Sequence, residues 1–175
     1  MDFYARAMQR ANEAILARMN QPFAHLTKAY LLMFKTKSGD VAQTVGRYEE
    51  VLSDMDRAMR IGPHDPYIGL WHEQKGRALL GLKRHREAIQ EGLKAIDEGY
   101  RTIIGYTALA AFYGAADKIP EAKSALAEAI KLNPKLSVAW FLRRIPSYIN
   151  SPPDFRDNMK KSWATGRMSA LRAPA

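Results

Sequence analysis

Four histidines, His25, His64, His72 and His85, are the side chains of this 175-residue chain best suited to ligating a metal or moving a proton near neutral pH. They lie in separate segments, no two at the helical spacing of metal ligands, and no His-Glu-x-x-His run occurs. His72-Glu73 sets a histidine beside a carboxylate, but adjacent residues on a helix do not face each other. All four are therefore expected at the surface or half-buried, without a ligand role. Glu49-Glu50 and the pair Glu87/Glu91 read as a solvated helix face. The chain has no Gly-x-Ser-x-Gly elbow, no phosphate-cradling glycine loop and no dinucleotide fingerprint. No nucleophile, base and orienting group can be assembled by spacing, so the expectation is a non-enzyme with no catalytic residue, metal or cofactor. Cysteine is absent, which removes disulfides and thiolate metal sites and fits a reducing compartment.

The remaining chemistry is charge. The net charge is +9, but residues 1–142 are nearly balanced, whereas 143–175 hold seven basic and two acidic residues. Arg143, Arg144, Arg156, Lys160, Lys161, Arg167 and Arg172 form that basic patch. Such a segment can draw nucleic acid, acidic lipid or an acidic protein, or it can be a solvated end that aids solubility. The cluster Lys83-Arg84-His85-Arg86 is expected in a solvated turn between helices.

The elements that would position these groups are helical throughout. Apolar residues recur at helical spacing over Phe3–Met19, and a second apolar run covers Phe23–Phe34. A longer helix spans Val41–Ile61 and stops at Gly62-Pro63, with Asp65-Pro66 completing the turn. Helices follow over Ile68–Leu80, His85–Glu98 (closed by Gly99), Thr102–Ala115 and Ile119–Leu132, the last ended by Asn133-Pro134. Pro120 falls in a first turn, where no internal hydrogen bond is lost. The fold class is all-α. No apolar run approaches the roughly 20 residues that span a bilayer, and Met1-Asp2-Phe3-Tyr4 does not open a secretory signal. The expectation is a cytoplasmic protein that does not enter the membrane.

Gly76, Leu79, Ala88 and Ala95 align with Ala110, Tyr113, Ala122 and Ala129 at one constant offset of 34 residues. That period is the length of a tetratricopeptide unit, a helix–turn–helix that buries its apolar face only by stacking on copies of itself. Small residues sit where paired helices must approach to about 8–10 Å; Leu79, Tyr106, Leu109, Tyr113 and Leu126 fill the space beside them.

On these residues the chain resembles the tetratricopeptide repeat (TPR) family. Tyr106 stands at the family's tryptophan position, Leu109-Ala110 replace its Leu-Gly pair, and Tyr113, Ala122, Leu126, Ala129 and Pro134 keep the register. The preceding unit departs from the pattern at Gly92, where a large residue is usual, and at Tyr100, where proline is usual. A degenerate earlier unit includes Ala58 and Pro63, and a half unit begins near Ser137 with Trp140 at the tryptophan position. Residues 60–66, 78–88 and 126–140 also resemble the C-terminal repeat region of bacterial adenylate/guanylate cyclase-like signalling proteins.

The resemblance implies a right-handed α–α superhelix of antiparallel pairs over 1–150, best in 69–102 and 103–136. A C-terminal capping helix and basic tail would follow over 151–175. It also implies a concave groove lined by Leu70, Glu73, Arg77 and Leu80, then Ile104, Thr107, Ala111 and Ala115, continued by Phe141 and Ile145. Such a groove suits an apolar helix or extended apolar peptide from a protein partner, unless the chain's own helix near 154–164 fills it. The expected role is a non-catalytic interaction scaffold or regulatory module. The alternatives are nucleic-acid or acidic-partner binding through the basic patch, and self-association into a homo-oligomer. Trp71, Trp140 and Trp163 are expected in packing more than as exposed anchors.

Overall fold

The computed structural model describes residues 3–17, 24, 25, 27, 28, 31, 32 and 41–137. The half unit at Trp140, the capping helix, the basic patch, and groove candidates Phe141 and Ile145 lie outside the described residues. Six helices are delimited: α1 (Phe3–Leu16), α2 (Val41–Ile61), α3 (Ile68–Gly81), α4 (His85–Asp97), α5 (Ile103–Ala115) and α6 (Ile119–Leu132). Residues 24, 25, 27, 28, 31 and 32 are also helical. No strand occurs among the described residues, as the all-α reading requires.

The helix ends follow from local chemistry. The Asp65 carboxylate accepts the Tyr67 N–H at 2.8 Å, and α3 begins at the next residue. Thr102 Oγ1 accepts the Gly105 N–H at 3.0 Å and caps α5. Gly99 adopts φ +88°, the left-handed position that ends α4, while Tyr100 N–H donates back to Ala95 O at 2.9 Å. The two intra-unit turns are copies. Lys83 (φ 60°) and Asp117 (φ 57°) both take left-handed backbone. Arg84 N–H donates to Leu79 O, and Lys118 N–H, 34 residues on, donates to Tyr113 O.

The helices stack in sequence order. α3 pairs with α4 and α5 with α6; α2 packs on α3, α4 on α5, and α3 also meets α5. The core runs continuously through Val51, Met55, Trp71, Leu79, Leu80, Phe112 and Leu126. Phe112, wholly buried, enters a slot between two glycines. A Cβ on Gly76 would sit 2.7 Å from its ring, and one on Gly92 would sit 2.8 Å from it. That is the physical reason for Gly92, the departure from the family pattern. The large side chain missing from α4 is supplied by α5 of the next unit.

Candidate functional site

The positions expected to line a groove come first. Among the described groove candidates, Glu73, Arg77, Leu80, Thr107 and Ala111 are buried, and Leu70, Ile104 and Ala115 are half-buried. The five buried positions offer no open lining. Thr107 spends its hydroxyl on its own helix, donating to Ile103 O at 2.7 Å. Glu73 accepts from Arg77 Nε, and from Gln74 Nε2 at 2.5 Å. Burial raises the Glu73 carboxyl above its ordinary range, against the opposing pull of Arg77.

The ionic chemistry lies elsewhere. His72 Nδ1 is 2.6 Å from Glu91 Oε2, which joins α3 to α4 across 19 residues of sequence. Lys94 reaches Glu91 at 3.1 Å, while Lys75 spans from Glu91 (3.6 Å) to Asp56 of α2 (2.7 Å). Glu91 is therefore buried, which corrects the expectation of a solvated Glu87/Glu91 face; Glu87 is exposed and pairs with Arg84 at 2.7 Å. Burial works to raise the Glu91 carboxyl, but His72, Lys94 and Lys75 hold it down at about 2. Burial works to lower the Lys75 ammonium, and Asp56 and Glu91 outweigh it, so the net shift is upward.

A second clamp has the same form. His25 Nδ1 is 3.0 Å from Asp54 Oδ1, and Lys28 reaches Asp54 Oδ2 at 3.0 Å and Glu50 at 2.7 Å. His25 is buried, unlike the surface or half-buried expectation, because it faces Asp54. Each clamp is a His-x-x-Lys pair on one helix gripping a carboxylate on another: His25/Lys28 on Asp54, His72/Lys75 on Glu91. The signal was present as two His-x-x-Lys spacings, but the acid each one grips lies far along the chain. Such clamps fix how helices pair; they bring no nucleophile and no metal shell together. Among the described residues no group of three metal-ligating side chains forms.

Among the described residues, two clefts lie between helices. One, of about 440 Å³, lies between α2, α3 and α4 and is walled by charged side chains including Asp56, Arg60, Lys75, Arg84 and Glu91. The other, of about 240 Å³, lies between α5 and α6 over Tyr106, Leu109, Tyr113 and Ala125. The basic turn behaves as expected, with Lys83, Arg84 and Arg86 exposed. Trp71 is fully buried. No described helix is long and apolar enough to cross a membrane.

Stacked antiparallel pairs with copied turns define a tetratricopeptide-type helical repeat fold. The solved structure of a thermophilic TPR protein from Thermus thermophilus is similar to this chain. Its TM-score is 0.65 at 19% identity, over 82% of this chain and 72% of that one. At that identity the likeness is one of fold. No family model matches the chain, and no curated protein matches it significantly.

Proposed function

We propose that this protein is a non-catalytic interaction module that holds a protein partner against its helical stack. The observation behind the reading is the stack itself, whose α3–α4 and α5–α6 pairs repeat down to the hydrogen bonds of their turns. A repeat array presents a continuous surface and has no built-in chemistry. Leu70, Ile104 and Ala115, three of the expected groove positions, are half-buried, and an apolar helix or peptide would lie against them. The resemblance of residues 60–66, 78–88 and 126–140 to the repeat region of cyclase-like signalling proteins is in keeping with a regulatory or scaffolding role for this module. The basic patch over 143–175 supports the second reading, attraction of nucleic acid or an acidic partner.

A tagged pull-down from host lysate, with and without nuclease and at low and high salt, separates the two. The groove reading expects a discrete protein that survives nuclease and salt and is lost with Leu70→Glu/Ile104→Glu. Recovery that disappears with nuclease or salt, and ignores that double substitution, moves the function to the basic patch.

A further inference from the structure

Tyr67, Arg101 and Lys135 stand 34 residues apart, at one equivalent position of successive repeats. Tyr67 and Arg101 lie at the heads of α3 and α5. All three are exposed, Tyr67 by 54%. Three residues further on, Leu70 and Ile104 are also equivalent positions, and both are half-buried. The next pair along the same helices, Glu73 and Thr107, is buried. The accessible part of the expected groove is therefore its end at the helix heads, where an apolar pair lies beside a row that turns cationic after Tyr67.

Those cations have no acid of their own. Arg101 Nε donates to Ile96 O at a long 3.4 Å, and neither Arg101 nor Lys135 makes an ion pair among the described residues. Asp97 and Glu98, the acids nearest Arg101 in sequence, belong to the end of α4 and not to this row. The net charge of +9 attracts anionic partners in the same sense at longer range.

Spacing restricts what can lie across the heads. α3 meets α5, and packed helices run about 8–10 Å apart, so equivalent residues such as Leu70 and Ile104 are separated by about that step. A helix presents same-face residues seven positions apart at about 10.5 Å. An extended strand, at about 3.3 Å per residue, offers same-face side chains at about 6.6 or 13 Å and misses the step. We propose that the occupant of this end of the groove is an acidic amphipathic helix of a protein partner. It crosses α3 and α5 with two apolar side chains seven residues apart on Leu70 and Ile104, and sets carboxylates of the same period against Arg101 and Lys135. The proposal rests on the groove reading and adds the chemistry of the partner. Charge selects that partner and speeds the encounter, while apolar contact holds it, so the complex still survives salt.

The test uses the full-length protein and a fluorescent helical peptide of about 15 residues, followed by anisotropy. The peptide carries leucine at two positions seven apart and a flanking row of glutamates; a second peptide has lysine for every glutamate. The acidic peptide is expected to bind about fivefold tighter or more, the scale of two exposed ion pairs. Arg101→Glu/Lys135→Glu should reverse that preference, with circular dichroism showing unchanged helix content. Leu70→Glu/Ile104→Glu should abolish binding of both peptides. Equal affinity for the two peptides, or a preference that ignores the charge reversal, overturns the proposal; if Leu70→Glu/Ile104→Glu still abolishes binding, the groove reading stands without it. Failure of both peptides to bind, or binding indifferent to Leu70 and Ile104, also overturns it, and the pull-down then decides the groove reading on its own.

Discussion

Glu91 concentrates the electrostatics of this molecule in one carboxylate. Its pKa of about 2 in the folded chain lies below the ordinary 4.5, so the folded state binds fewer protons than the unfolded one. The stability it contributes is complete above about pH 4.5 and is lost as pH falls toward 2. Urea titrations of the native chain and Glu91→Gln are expected to differ by roughly 2–3 kcal/mol at pH 7 and to converge near pH 2. Glu73 works in the opposite sense. Burial raises its folded-state pKa, so its contribution is present at low pH and fades as pH rises above 4.5. Lys83 offers a test of backbone strain. It is exposed and holds φ 60°, a conformation that costs an L-residue about 1–2 kcal/mol and glycine almost nothing. Lys83→Gly is expected to raise the unfolding midpoint, worth roughly 0.5–1 kcal/mol after glycine's larger unfolded-state entropy.

At the scale of elements, the units are joined by side chains that cross from one to the next. Phe112 of α5 seats between Gly76 of α3 and Gly92 of α4. Gly76→Ala therefore forces the ring to move and is expected to cost about 1–3 kcal/mol by overpacking. Combining it with Phe112→Leu should recover part of that loss, a coupling readable in a double-mutant cycle. The buried Glu73–Arg77 pair follows the logic of buried ions. Arg77→Met alone is expected to cost about 3–5 kcal/mol by stranding a charge, and Glu73→Leu/Arg77→Met much less. Chemical denaturation of the three variants measures this. The clamps at His25/Lys28 and His72/Lys75 act at the same scale, tying helices that the apolar pattern alone would let slide.

For the whole molecule, a stack of this kind has stability terms that are mostly within units and between neighbours. Removing Phe112 should therefore uncouple as well as destabilise. Phe112→Ala is expected to cost about 3–5 kcal/mol. Amide exchange should show α5 and α6 losing protection before α3 and α4. Equal loss along 68–132 would mean that the two units open as one.

Much of this architecture is local and was legible in the residues. The 34-residue offset, the helix spans from Val41 to Leu132, the left-handed Gly99 and the Pro120 first turn depend on contacts within a few positions. The burial of Glu91 and His25 was not legible, since helical spacing relates a residue to neighbours three or four away. Their partners lie 19 and 29 positions off. The groove candidates show the same limit. Register alone puts Glu73, Thr107 and Ala111 on the inner side of their helices. Packing in the tertiary structure, which register does not contain, decided that these side chains are buried. Sequence determined which helices form and how they repeat, because those are short-range choices; which charges are paired and which surfaces stay open was decided by packing between distant segments.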